Sequence, residues 1–277
     1  MFGGISVRGK VLVLADAAGD GEVFVFDLET RRLAGRFSFG VAAGWSDAGG
    51  IALAEDSSLF IPDTKNGCVR RFSLFGNDAG VLGRPTGAIA RDRRGLLAHP
   101  RAVCFDRRER LWVTCGDRAW VHGLQVFGKD GRFVLSAHAF GQRRRTFGPA
   151  LGLCAFGEQI FVADTGNDCV QCFRDDGTFL GAHDLPANYG RPMAIAAWQQ
   201  GFAVIVSEPT AKVLRFDRHF KLCGELRLPP EITLVAPSAL TYIASDDLLV
   251  LDRDAERVLS FDARGHFAEC LFDTQEW

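Results

Sequence analysis

The chain has 277 residues, 47% hydrophobic and 24% charged, which is enough for one sizeable core and excludes a disordered or fibrous polymer. With 32 basic against 34 acidic side chains the formal charge is −2, so the chain as a whole is not steered towards nucleic acid or an anionic membrane. No apolar run approaches bilayer length, and Met1-Phe2-Gly3-Gly4 lacks the basic start and long apolar stretch of a leader, so neither a membrane span nor a targeting segment is expected. Eight cysteines lie scattered through apolar stretches without the spacing of a disulfide framework, which points to a reducing, cytoplasmic setting.

In chain order, one unit recurs. A short apolar run closes on a carboxylate, a polar turn follows, and a valine-centred run ends in Phe. Asp16 leads to Phe26 in "LADAAGDGEVFVFD", and Asp63 to Phe72 in "IPDTKNGCVRRFS". A third copy, "VTCGDRAWVHGLQVFGKDG", starts at Val113, carries Cys115 where the carboxylate is expected and ends at Phe127. The fourth, "VADTGNDCVQCFRDDG", runs from Asp164 to Phe173; in the fifth Glu208 takes the acidic place before Phe216, and in the sixth Asp252 precedes Phe261. The copies stand roughly 45 to 50 residues apart, the length of a four-stranded propeller blade.

Within the fourth copy the runs Leu153 to Phe156, Ile160 to Ala163, Cys169 to Phe173 and Phe179 to Ala182 are each of strand length, with Gly- or Asp-rich turns between them. No stretch has helical spacing. One such sheet cannot bury both its faces, so the sheets must stack around an axis. The expectation is an all-β chain: a six-bladed β-propeller of four-stranded antiparallel blades, forming a single domain over residues 1–277. The blades fall near 1–40, 48–83, 99–137, 148–184, 190–228 and 236–272. Since the first blade takes all its strands from the N-terminus, no strand is left to clasp the last blade, and the ring should close by side-chain packing.

The pattern Pro-x-Gly, apolar run, "V-A-D-T-G-N", alternating run, Phe, Asp-Gly resembles the NHL repeat, nearly residue for residue from Gly148-Pro149 to Gly181 and more loosely in the first and fifth copies. That resemblance implies the six-bladed propeller and, because some NHL domains recognise RNA on a basic face, a binding role.

Candidate site residues follow from position in the blade. With strand a innermost and d outermost, the b–c turns and d–a connections share one face, here called upper. Asp16, Asp63, Asp164, Glu208 and Asp252 therefore recur at the upper end of strand b. They are read as structural turn residues that accept N–H bonds, not as a metal ring. Cys169 and Cys172 form a CxxC, but three residues apart in a strand they face opposite ways, so core packing is expected and neither chelation nor a disulfide.

The third copy departs from the rest. Its b–c turn is three residues longer and brings Asp117, Arg118, Trp120 and His122, while His99-Pro100-Arg101 enters the same blade from above. Residues 84–145 carry 14 basic against 5 acidic side chains, leaving the remainder of the chain acidic. The partner-binding set is accordingly Arg91, Arg93, Arg94, His99, Arg101, Arg118, Trp120, His122, Arg143, Arg144 and Arg145; Arg107, Arg108, Arg110, Lys129 and Arg132 fall in lower turns and are left out. Arginine forks suit carboxylates and phosphates, and Trp120 offers a stacking surface.

The expected function is a non-catalytic binding or scaffold module presenting this basic upper face to an anionic partner. A protein segment is preferred and RNA is the second choice; no membrane and no cofactor are expected, and a small-molecule ligand at the channel mouth is a further option. The alternative is a metal-dependent lyase or lactonase-like hydrolase at the channel mouth, since propellers of related architecture include such enzymes. Against it, only blade three has a histidine at blade entry, and no metal ligands are assigned. Cys115 with His99 or His122 is a conceivable nucleophile and base, without a local signature.

Overall fold

The computed structural model describes residues 2–16, 21–39, 50–83, 94–116, 123–137, 150–207 and 210–273. Blade one holds β1 (Phe2–Arg8), β2 (Val11–Asp16), β3 (Glu22–Asp27) and β4 (Arg32–Ser38); blade two holds β5 (Ala52–Leu53), β6 (Ser58–Asp63), β7 (Cys68–Ser73) and β8 (Asp78–Leu82). Blade three has β9 (Val103–Phe105), β10 (Leu111–Cys115), β11 (Gly123–Phe127) and β12 (Phe133–Ala137). Blade four has β13 (Ala150–Phe156), β14 (Gln159–Asp164), β15 (Cys169–Arg174) and β16 (Phe179–Asp184). Blade five comprises β17 (Pro192–Trp198), β18 (Gly201–Val206), β19 (Lys212–Asp217) and β20 (Leu222–Glu225). Blade six comprises β21 (Pro237–Tyr242), β22 (Leu248–Asp252), β23 (Arg257–Phe261) and β24 (Phe267–Asp273).

Each sheet is antiparallel and pairs its four strands in sequence order, so the architecture is the expected six-bladed propeller. Among the described residues the one helical element is a 3₁₀ turn at Thr165–Asn167, after the Asp164 carboxylate.

Burial explains why the middle strands read as near-continuous apolar runs. In β2, Leu12 and Leu14 pack towards blade six while Val13 and Ala15 pack towards blade two. Alternate side chains thus enter two different cores, and both faces are dry. The outer strands are covered on one face only, and β16 alternates half-buried with exposed residues along its length. Buried apolar clusters fill every junction between neighbouring blades. The recurrent Phe has a fixed job: Phe26, Phe72, Phe127, Phe173, Phe216 and Phe261 are all buried, each inserted against the blade before it.

Two other repeat positions acquire a physical reason. Thr64 and Thr165, each following the turn Asp, donate their hydroxyls to the carbonyls of Pro100 and Pro192, the prolines at the entry of the next blade (2.7 and 2.6 Å). Gly152, in the fourth copy's Pro-x-x-Gly entry, lies where an added Cβ would stand 2.7 Å from the Ala194 Cα, so the inner strands of blades four and five approach too closely for a side chain.

Closure rests on side chains. Ile5, Leu14 and Phe26 of blade one share a core with Ala239, Leu251 and Phe272 of blade six, and the Phe26 and Phe272 ring centroids are 4.3 Å apart. Arg31 adds a two-pronged bond to Glu269 at 2.6 and 2.8 Å. β1 pairs with β2 and β24 with β23, with no strand shared between the two sheets.

Candidate functional site: the upper face of blade three and the channel

The connector into blade three is anchored by apolar side chains. Leu97 is fully buried against Leu82 and Phe127, and Leu96 and Ala98 are buried beside it. Gly95 N donates to the Gln125 carboxamide oxygen, and Gly116 N donates to the Ala98 carbonyl. The outcome is an exposed His99 with a left-handed φ of 47°, locked between buried Ala98 and buried Pro100, whose carbonyl holds Thr64. Arg101 follows, half-buried, its N–H bonded to the Thr114 carbonyl. His99 and Arg101 therefore share the upper end of blade three.

Arg94 is exposed; a Cβ added to its neighbour Gly95 would stand 3.6 to 3.7 Å from the Phe133 and Phe127 side chains. The other members of the predicted set, Arg91, Arg93, Arg118, Trp120, His122, Arg143, Arg144 and Arg145, lie outside the described residues.

The lower-face arginines have partners that account for them. Asp106 is buried and accepts N–H bonds from Arg108, Arg110 and the Trp112 indole. Burial by itself would raise the Asp106 pKa; the Trp112 and Arg110 donors win, and it lies below the usual carboxylate value. Buried Asp175 of blade four takes Arg107 at 3.1 Å and Arg108 at 3.5 Å, and Arg107 also reaches Glu158 at 2.6 Å. These contacts sew blade three to blade four and cancel that part of the basic excess.

The turn carboxylates are also occupied. Asp63 accepts from the Asn66 backbone and carboxamide, while Asp164, with no exposed surface, accepts from the side chains of Asn167 and Gln171. Asp252 differs from the expectation of a bond to its own turn. It accepts the N–H groups of Val235 and Ala236, from the segment entering the blade, and an ion pair from Arg257 at 2.9 Å. Asp16 is half-buried, and Glu208 lies outside the described residues.

Along the axis, a cavity of about 260 Å³ is lined by the inner strands of all six blades and receives Arg8, Cys104, Cys154, Thr241 and Tyr242. Arg8 spans its lower mouth, donating to the Leu53 carbonyl at 3.3 Å and to Glu109 at 2.8 Å. These residues carry no motif; only their place on strand a puts them in the channel. Burial raises the thiol pKa of both Cys104 and Cys154. Among the described residues no group of three or more His, Cys, Asp or Glu is placed to hold a metal.

Burial also pushes the Cys115 thiol up to about 12, and its Sγ donates to the Gly123 carbonyl at 3.5 Å. A thiol held in this way is protonated at neutral pH and makes a poor nucleophile. Cys169 and Cys172 are both buried and form no disulfide; Cys172 sits in the core between blades four and five, packed with Phe161 and Phe202.

No protein-family model and no curated protein matches the sequence. Solved structures do match in shape. A protein of unknown function from Bacteroides caccae aligns with a TM-score of 0.68 at 11% identity, over 98% of this chain and 96% of that one. A streptogramin B lyase aligns with a TM-score of 0.67 at 13% identity, over 98% of this chain and 83% of that one. The virginiamycin B lyase of Staphylococcus aureus gives 0.63 at 12% identity, over 96% and 83%. At these identities the likeness establishes the fold, a six-bladed β-propeller, and leaves the chemistry to the residues of this chain.

Proposed function

We propose that this NHL-like propeller is a non-catalytic binding module whose upper face, around blade three, takes an anionic protein segment. The observation that carries the reading is where the positive charge is left. Residues 84–145 hold 14 basic and 5 acidic side chains, and the lower-face Arg107, Arg108 and Arg110 are paired with Asp106, Asp175 and Glu158. In the sequence the remaining arginines of this span belong mostly to the connectors and the enlarged turn of blade three, and Arg101, half-buried, stands at the upper end of that blade beside exposed His99. Enlarged loops on one face of a regular scaffold are where propellers carry recognition.

The likeness to streptogramin B lyases favours one second reading, a metal-dependent lyase or hydrolase at the channel mouth. Its demands are met poorly by the described residues: Asp63, Asp164 and Asp252 are committed to Asn66, Gln171 and Arg257, and the channel offers protonated thiols in place of carboxylates.

A fluorescence titration with a poly-glutamate peptide and with a single-stranded oligouridylate tests the proposal. The peptide should bind, and Arg101→Ala combined with Arg118→Ala and Trp120→Ala should weaken it at least tenfold. Undiminished binding by that variant would place the site elsewhere. Preference for the RNA, with log affinity falling by about 0.7 per phosphate contact for each unit of log salt, would replace the protein partner by nucleic acid. Divalent-dependent turnover of a lactone would establish the enzymatic reading.

A further inference from the structure

Between blades five and six the chain takes a path of its own. β20 has four residues against five to seven in the other outer strands, and residues 226–236 leave it as a strap laid onto blade six. Leu226, Leu228, Ile232 and Leu234 of the strap pack on the core between the two blades. At its far end Asp252 accepts the Val235 and Ala236 N–H groups, and the Thr233 carbonyl accepts from Arg257 at 2.6 Å. At its near end Arg227 forms a parallel bridge with His266, in the turn between β23 and β24. Arg227 N donates to the Gly265 carbonyl at 2.8 Å, and Phe267 N to the Arg227 carbonyl at 2.9 Å. Among the described residues this is the one β-bridge outside the strands.

Side chains close over that bridge. Arg227 Nη1 lies 3.1 Å from His266 Nε2, and His266 Nδ1 lies 3.2 Å from Asp262 Oδ2. A guanidinium only donates, so Nε2 is the acceptor; a carboxylate only accepts, so Nδ1 carries the hydrogen. One state of the ring, the neutral Nδ1–H tautomer, satisfies both contacts. Burial would raise the Asp262 pKa, but the His266 and Arg264 N–H groups hold it below the usual carboxylate value, so it stays charged. Two further cations belong to this turn: Arg264 within it, and Arg215 of β19, whose guanidinium is bonded to the Ala263 and Arg264 carbonyls.

We propose that Arg227 and His266 form a pH-operated clasp on the strap, closed while the imidazole is neutral and released when it takes up a proton. A proton from solvent occupies the Nε2 lone pair, which removes the acceptor and sets a second cation 3.1 Å from the guanidinium. Nδ1 keeps its bond to Asp262, so the ring stays on its own turn and Arg227 is the group that leaves. Arg227 is exposed and His266 half-buried, so the effect is local and modest. The far half of the strap, held by Asp252, Arg257 and its apolar side chains, contains no histidine and does not respond. The clasp belongs to blades five and six and stands or falls independently of the proposed partner site.

Nitrogen NMR and amide hydrogen exchange on the full chain test it. At pH 8 the His266 ring should carry its hydrogen on Nδ1, and a hydrogen on Nε2 would overturn the proposal. Exchange is then compared at pH 8 and pH 5, corrected for its intrinsic pH dependence. Protection of the Arg227 and Phe267 amides should fall about threefold or more, the size of a partly exposed polar contact, while that of Val235 and Ala236 holds. His266→Gln offers an acceptor that does not titrate; its Arg227 and Phe267 amides should stay protected at both pH values, and thermal melting confirms that it folds. Unchanged wild-type protection, an equal fall at Val235 and Ala236, or the same fall in His266→Gln as in the wild type would each sink the clasp.

Discussion

At the scale of single residues, the polar side chains that recur here spend their hydrogen bonds on holding the scaffold. Asp106 is the clearest case. Its carboxylate gathers two backbone N–H groups, the Arg110 guanidinium and the Trp112 indole in a buried site. Removing it takes from half-buried Arg110 its nearest carboxylate, strips two backbone N–H groups of their acceptor and leaves the fully buried Trp112 indole N–H without one. Asp106→Ala should therefore cost about 3–5 kcal/mol of stability, read from urea unfolding, and a loss below about 1 kcal/mol would mean that water replaces the carboxylate without penalty. The turn carboxylates were legible from the sequence as a recurring acid after an apolar run. Their individual partners were not, because Asp63 and Asp252 occupy equivalent places yet one binds its own turn and the other the segment entering its blade. Short-range spacing says that a carboxylate needs donors; which N–H groups arrive depends on the path of chain far away in sequence.

At the scale of the strand and blade, pattern and structure agree where both faces of a strand are buried. The expected runs at Leu153, Ile160, Cys169 and Phe179 are β13 to β16, each extended by one to three residues at one or both ends. The inner strands of blades two and three are the exception: β5 has two residues and β9 three, against six or seven in the other inner strands. In blade three the reason is visible. Arg101 N donates to the Thr114 carbonyl and Thr114 N to the Ala102 carbonyl, so two residues face one; Ala102 N turns to the Thr114 hydroxyl, and this bulge ends the regular ladder above Val103. The contact between blades four and five adds a titratable element. His183 of β16 stacks on Phe220 of blade five with centroids 3.4 Å apart, and burial lowers its pKa from 6.5, partly opposed by Asp184. Because the folded pKa lies below the unfolded one, the unfolded chain takes up the proton first. The stability of this contact is present above about pH 6.5 and is lost as pH falls towards the folded value. Thermal melts between pH 7.5 and 5 should show this decline in the wild type and a flatter profile in His183→Leu; identical slopes would show that the ring does not couple to the proton.

At the scale of the whole molecule, the ring closes through the Ile5, Phe26 and Phe272 core, without a strand crossing from one sheet to the other. Deleting Met1 to Ser6 removes most of the inner strand of blade one, including Ile5, and opens both the closure and the channel wall. The melting temperature should fall by about 10 °C or more, since a loss of a few kcal/mol spread over a chain of this size shifts the midpoint by about 2–4 °C per kcal/mol. An unchanged midpoint would mean that blades two to six close on their own. No helix among the described residues is long and apolar enough to cross a membrane. What the sequence determined by itself is the repeat: six turn-Phe units of blade length, five of them opening on a carboxylate and the third on Cys115, the strand character of each, and the clustering of arginines around the third. These are local or periodic properties, and the hydrophobic effect reads them directly because each unit must bury both its faces against a neighbour. Only the tertiary structure decided that Arg107, Arg108 and Arg110 are cancelled by Asp106, Asp175 and Glu158, and that Asp252 takes the N–H groups of the segment entering its blade. Those outcomes depend on the stacking and twist of neighbouring sheets, which set residues far apart in the chain side by side, and no spacing along a single strand carries that information.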